Sequence, residues 1–441
     1  MRRLIYIFII GLLLCSYTWA DGSRYASKSL LSEGKWVKIR VDKTGIYKLS
    51  YADLKNMGFS DPSKVSVHGY GGWPLDEDFS KEYIDDVPST PVWRGSDYLL
   101  FYGKGPVKWE YDSSSQTFVH TNNPYSLYGY YFVTDATPTN DMTSVAQASG
   151  ATNRITTYDD YLVHEQELVS LAKSGRELYG EDFSGATPRT LSTFSSIPGI
   201  TNEDAKVTMS FVSKVTSGTG VASLSINQSN VLDVSIRSNR EEYVKALEGV
   251  STAVWKGEKS EKNSVVVSYN SASHNNVRLN YVRLHFKRTL QPYGAYTFFR
   301  SIASIGNVSR FVVQGANANT LVFDVTDAQR VRLMETELNG SELTFSIPAG
   351  TLREFVLVRT DQSFISPEVV GEVENQNLHA LEQKDMIIIA AKAFQTQAER
   401  LAEEHRATDG LTVEVVDPQS IYNEFSSGAP DATAYRRFMK M

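Results

Sequence analysis

Apolar and polar positions alternate along most of this chain, so strands dominate the elements it predicts. Residues 35–41 place Val37, Ile39 and Val41 on one side, Asp42-Lys43-Thr44-Gly45 makes a turn, and 46–49 resume as a strand. Ser50, with Asp53 three residues on, is an approximate capping box for a short helix, and Gly58 stands where that helix should stop. Residues 65–68 form the next strand, which runs into the loop Gly69-Tyr70-Gly71-Gly72-Trp73-Pro74. Residues 98–103 and 128–134 are aromatic strands, and the small polar residues of 136–153 close this first unit near residue 150.

Beyond it the pattern is that of a β-sandwich. Residues 165–174 predict a short helix, closed by Lys173-Ser174-Gly175-Arg176-Glu177. Val207, Met209 and Phe211 alternate, as do Leu232, Val234 and Ile236. Residues 265–269 are β-branched, and 277–287 form a long strand whose apolar phase switches at Tyr281-Val282, which implies a bulge or burial on both faces. Short strands at 311–313, 321–325, 343–347 and 355–358, with Gly, Asn and Asp between them, complete an all-β sandwich. Residues 361–384 read as a polar linker.

The character changes at Asp385. Met386-Ile387-Ile388-Ile389 is a continuous apolar strand of the kind found in buried parallel sheets. A helix over 393–405 places Phe394, Ala398, Leu401 and Ala402 on one face, Gly410 ends it, and 411–416 form a second strand. Asp431 then caps a helix through Tyr435 and Phe438 to Met441. This β-α-β-α order opens an α/β domain but is shorter than the ~100–150 residues of an ordinary one, so the chain reads as stopping within it. The fold class is therefore mainly β: an N-terminal β-rich domain over 21–150, a β-sandwich region over 151–360, a linker over 361–384 and an incomplete parallel-sheet α/β domain over 385–441.

The first twenty residues change where this fold is expected to work. Arg2 and Arg3 precede an apolar stretch over 4–14, and Thr18-Trp19-Ala20 offers a cut before Asp21, so residues 1–20 read as a secretory signal peptide. The stretch is shorter than the ~20 residues that span a bilayer. Leu14 is bulky where a lipidation signal at Cys15 would need a small residue. Cys15 is the one cysteine and leaves with the signal, so the mature chain has neither a disulfide nor a thiol nucleophile. The net charge of −7 falls by two to −9 when Arg2 and Arg3 leave, which argues against a nucleic-acid partner.

Each candidate for chemistry has a plainer reading. Gly69 to Gly72 opens no helix, and Trp73-Pro74 argues for a turn rather than a phosphate loop. Asp76-Glu77-Asp78, Glu82 and Asp85-Asp86 supply the hard oxygen ligands calcium takes, without the spacing of a calcium loop, so a solvated surface loop is preferred. The seven histidines are His68, His120, His164, His274, His285, His379 and His405, and no two lie within a helical turn, so no zinc-type pair is visible. His405 suits a helix C-terminus. Ser426-Ser427-Gly428 lacks the pattern of a nucleophile elbow. Asn227-Gln228-Ser229, Asn307-Val308-Ser309 and Asn339-Gly340-Ser341 match a glycosylation sequon by chance in a bacterial chain. No catalytic constellation, metal set or cofactor motif emerges.

A resemblance goes further. Residues 36–49, the helix with Leu54 and Met57-Gly58-Phe59, His68 to Gly72, and Phe101-Tyr102-Gly103-Lys104-Gly105-Pro106 follow in the order seen in the type IX secretion sortases of the gingipain-type cysteine peptidases. The ending resembles the opening of the gingipain peptidase domain: Asp385 to Ala390, Ile421-Tyr422-Asn423-Glu424-Phe425-Ser426-Ser427-Gly428, then 431–437. The resemblance implies a cell-surface enzyme of the Gram-negative outer membrane. Such an enzyme removes C-terminal sorting domains from secreted cargo and joins the cargo to lipopolysaccharide by thiol-mediated acyl transfer through a Cys–His pair. It implies a PorV-like outer-membrane barrel as partner, no cofactor, and catalytic residues beyond the equivalent of Met441. A secreted gingipain-like protease, or a non-catalytic surface module of adhesin type, are the alternatives.

Overall fold

The strand Glu354–Arg359 shows how the β regions are assembled. In the computed structural model, which describes residues 25–441 apart from 82, 174 and 186, its run Phe355-Val356-Leu357-Val358 is buried on both faces. Alternate side chains leave a strand on opposite faces. Phe355 and Leu357 enter one core with Phe299, Phe311 and Phe345, while Val356 and Val358 enter another with Ile46, Leu100 and Tyr102. The sheet they belong to is therefore covered on both sides. It has nine strands, in the order Ser144–Val145, Arg332–Met334, Thr320–Asp324, Glu354–Arg359, Tyr296–Arg300, Thr157–Glu165, Asn275–Thr289, Ala205–Lys214 and Leu247–Trp255.

Two four-stranded sheets cover this long sheet, making a double sandwich. One, built around Ser309–Val313 and Glu342–Ile347, closes on the phenylalanine cluster, where Phe311 stacks on Phe345 with centroids 5.0 Å apart. The other, built from Thr219–Ile226, Ser229–Arg237 and Val265–Tyr269, covers Phe211, Leu279 and Leu284. The long strand Asn275–Thr289 carries a bulge: Ser210 pairs with Tyr281 but Phe211 with Leu279, so Asn280 is the extra residue and the apolar phase shifts there.

The N-terminal unit pairs a five-stranded antiparallel sheet with a three-stranded one. Ile39, Tyr47, Leu49, Leu54, Phe101 and Tyr131 fill the space between them. The helix Tyr51–Asn56 has its capping box, with the Asp53 amide donating to Ser50 Oγ at 3.0 Å, and Gly58 follows at φ +91°.

Several expectations need correction. The helix over 165–174 does not form among the described residues. Glu165 instead ends the strand Thr157–Glu165, whose pairing with Asn275–Thr289 outweighs local helix preference, and Val169 bridges to Tyr179. The stretch read as linker holds the strand Glu368–Val373, which pairs with Trp36–Val41 as the edge of the N-terminal sheet. The C-terminal unit has two parallel strands, Met386–Ile389 and Val413–Val416, joined through the helix Gln395–Thr408. Its apolar surfaces are less covered than their composition suggests. Ala398 and Ala402 are buried, whereas Phe394 is 65% and Leu401 48% exposed. A further helix, Pro418–Phe425, precedes Ala432–Lys440 and starts with Pro at its first turn after Asp417. The signal peptide and Cys15 lie outside the described residues.

Candidate functional site

Residues from 376 onward fold back onto the N-terminal unit, and several of the positions singled out in the sequence, Gly69 to Gly72, Asp85, His379 and Ser426-Ser427, meet at that seam. The loop Gly69 to Gly72 is one wall. Gly69 has φ +125°, and a Cβ there would lie 2.5 Å from Ser427 Oγ, so glycine is needed for close approach. Ser427 is buried at φ +53°. Its Oγ accepts from the Tyr70 amide at 3.1 Å and donates to the Tyr130 carbonyl at 3.3 Å. Ser426 is buried and donates to the Ala429 carbonyl at 2.5 Å. Both hydroxyls are committed to holding a loop.

Lys38 crosses the seam from the strand Trp36–Val41. Its Nζ donates to the Gly428 carbonyl at 2.6 Å and to Asn423 Oδ1 at 3.2 Å, and it lies 4.5 Å from the Tyr130 ring centroid. Burial pulls this ammonium down to about 7.

His379 is the centre of the seam, and no short-range sequence signal marks it. Its ring nitrogens face Glu424 Oε2 at 2.5 Å and Asp85 Oδ1 at 3.0 Å, and the ring stacks on Phe425 with centroids 4.7 Å apart. Glu424 is wholly buried in the helix Pro418–Phe425. It also accepts from the Leu378 amide at 2.8 Å, the His379 amide at 3.1 Å and Gln376 Nε2 at 2.8 Å. Burial pulls the imidazole down, but the hydrogen bonds and charges of Asp85 and Glu424 outweigh it and hold it up at about 10. The ring is thus a cation that donates from both nitrogens.

Of the acidic run 76–86, Glu82 lies outside the described residues, and the others clasp neighbouring parts of the chain. Asp86 is buried and accepts from Ser29 Oγ at 2.8 Å and the Leu30 amide at 2.7 Å, and burial raises its pKa. Asp76 pairs with Lys81 at 2.7 Å, and Glu77 with Arg176. The guanidinium of Arg437 lies 4.6 Å from the Tyr83 ring, and that of Arg436 4.6 Å from Phe79. These carboxylates face cations and amides of the chain, and among the described residues no three His, Cys, Asp or Glu converge as metal ligands. The other histidines are structural. His164 meets Glu181 at 2.6 Å, His285 meets Asp159 at 3.1 Å, and His120 meets Glu165 at 2.7 Å. His68 contacts the Val87 carbonyl at 3.0 Å, His274 meets the Tyr269 hydroxyl at 2.7 Å, and His405 meets Asp409 at 2.7 Å.

The seam is built to position one unit on another; none of its groups is arranged as a nucleophile with a base. Its C-terminal side has a known relative. Residues 379–441, beginning at the seam histidine itself, match the model of peptidase family C25. The whole chain superposes on dimeric latent PorU from Porphyromonas gingivalis with a TM-score of 0.88 at 34% identity, over 94% of this chain and 40% of that one. The chain is PorU-like. It spans well under half the length of the PorU chain it matches. An isomalto-dextranase from Arthrobacter globiformis is 9% identical over 58% of this chain and 36% of its own, at a TM-score of 0.16, which carries no relationship of fold. No curated protein matches the chain. The seam is where the residues matched by the peptidase-family model meet the N-terminal β unit.

Proposed function

We propose that this chain is the front part of a PorU-type cysteine peptidase of the type IX secretion system, exported to the outer surface of the outer membrane. The observation that carries the reading is the docking of the C25-matched residues onto the N-terminal unit, where Lys38 reaches the Gly428 carbonyl and Asp85 meets His379. Both β regions are thereby a platform that holds the peptidase domain and presents substrate to it. The catalytic histidine and cysteine would lie beyond the equivalent of Met441. There a thiolate would attack the carbonyl before a cargo's C-terminal sorting domain, expel the domain's amine and form a thioester. Water or an acceptor on lipopolysaccharide would then release the cargo. A PorV-like barrel would hold the enzyme at the membrane; no helix among the described residues is long and apolar enough to cross one. By itself the chain is expected to be silent, since Cys15 is its sole thiol and falls within the expected signal peptide.

The test is to read the gene beyond codon 441 and assay its full product on a cargo C-terminal domain beside a Cys→Ala variant. Cleavage lost in the variant supports the platform reading. An immediate stop codon, or no thiol-dependent cleavage, leaves a surface binding module in its place.

A further inference from the structure

A second feature lies away from the seam, where the N-terminal unit meets the nine-stranded sheet. A cleft of about 420 Å³ opens there, within the ~300–1,000 Å³ of ordinary ligand sites. Its walls alternate aromatic faces with charged groups. Trp109 stacks on Tyr161, ring centroids 4.0 Å apart and 18° between planes, and Trp73 and Tyr293 also line the cleft. On the polar side Arg288 donates to Asp160 at 2.9 Å and lies 3.8 Å from the Tyr293 ring, and the fully buried Arg300 pairs with Glu354. Two guanidiniums thus face two carboxylates, Lys43 and Asp42 at the rim add one charge of each sign, and the wall charges cancel. Two buried donors on the same walls, Arg300 Nε and Trp73 Nε1, find no hydrogen-bond partner among the described residues.

We propose that this cleft is a saccharide-binding site. An anion would need unpaired cations, and here each guanidinium already has its carboxylate. A purely apolar ligand would leave the charged pairs without a role. A neutral polyhydroxylated ring satisfies both sets: its C–H face lies on an indole or phenol ring, and its hydroxyls donate to Asp160 and Glu354 and accept from Arg288, while the buried Arg300 holds Glu354 in place. The site is independent of the peptidase reading, since none of its residues belongs to 379–441.

The experiment titrates the 441-residue protein with maltotriose, cellotriose and mannotriose, read by tryptophan fluorescence and calorimetry, with inorganic phosphate and a proline-rich decapeptide as comparators. At least one trisaccharide should saturate with a Kd on the order of millimolar, as expected of a few stacking and hydrogen-bonding contacts. Trp109→Ala should weaken binding about tenfold. Tyr293→Ala, at the half-exposed rim, should do the same, and serves if Trp109→Ala fails to fold. Trp255→Phe, in the distant sandwich core, should change nothing. The proposal falls if no trisaccharide saturates, if binding survives both cleft substitutions, or if phosphate or the peptide binds the cleft in a saccharide's place.

Discussion

The phenylalanine cluster of the sandwich and the seam that carries the C-terminal unit do similar structural work with opposite materials. In the first, Phe299, Phe311, Phe345 and Phe355 interlock edge-to-face and stacked, and Tyr158 at the border turns its hydroxyl out to Asp160. In the second, an imidazolium lies between two carboxylates and a buried ammonium reaches two oxygens. A dry core gains from every apolar atom removed from water and is nearly indifferent to pH. A polar seam gains little net energy but tolerates only one arrangement, because each partner removed strands a buried charge. The C-terminal unit is therefore placed specifically and held conditionally.

The largest effect should come from the dry side. Phe345→Ala leaves a cavity among the three remaining rings, Phe299, Phe311 and Phe355, and should cost about 3–5 kcal/mol of unfolding free energy, read from the denaturant midpoint. A loss below ~1 kcal/mol would mean that the cluster collapses around the gap and is not rigidly packed. Glu424→Ala should come next, at about 2–3 kcal/mol, because Asp85 remains and the imidazole can discharge. Its signature is regional: amide exchange should quicken across the two C-terminal helices and leave the sandwich unchanged. Uniform loss of protection in both regions would make the two a single cooperative unit and erase the distinction.

These materials also decide what a reader of the sequence can see. The strands at 98–103, 265–269 and 354–359 announce themselves because a short run of β-branched and aromatic residues bounded by turn residues is a local signal. So did the capping box at Ser50. Thr157–Glu165 was hidden because Asp159, Asp160 and His164 interrupt its apolar pattern, and each is satisfied by a partner distant in sequence, such as Arg288, His285 or Glu181. Glu368–Val373 was hidden because an edge strand needs only one partner and exposes the rest: Val369 and Val370 are each about half exposed. The seam was least legible. His379 lies 294 residues from Asp85 and Lys38 lies 390 from Gly428, so nothing in either neighbourhood could mark them. Of the candidate site, the family resemblance of 68–72 and of the peptidase-like stretches 385–390, 421–428 and 431–437 was readable in advance, and the contacts between them were not.

Within the seam, pH separates its two cations. His379 has its folded pKa raised from 6.5 to about 10, so the stability it contributes is complete below pH 6.5 and lost as pH rises through 10. Lys38 has its folded pKa lowered from 10.5 to about 7. Its protonation penalises the folded state fully below pH 7, and that penalty lifts as pH climbs toward 10.5. Between pH 7 and 10 the two slopes oppose each other, and the native protein should show a nearly flat profile from this region. Lys38→Met should expose the histidine slope, so that stability falls with rising pH. His379→Gln should expose the lysine slope, with stability rising over the same range. Thermal melts of both variants at several pH values check this, and parallel profiles for the two would show that they are not the titrating groups.

The smallest effect is expected two residues along the strand from Lys38. Arg40 points the same way, since alternate residues share a face. It makes a paired contact with Glu368, at 2.9 Å from Nε and 2.6 Å from Nη2, closer to ideal geometry than anything Lys38 has. Contact geometry alone would rank Arg40 first. Burial reverses the order, because the Glu368 side chain is 60% exposed and water competes for every bond it makes, whereas Lys38 is 6% exposed and water cannot replace Gly428 or Asn423. Glu368→Gln should leave the unfolding midpoint unchanged within error, at low and at high salt. A salt-dependent drop would show that the edge strand Glu368–Val373 depends on this pair for its hold on Trp36–Val41. The polar seam and the polar surface would then differ in degree, with burial no longer the deciding variable.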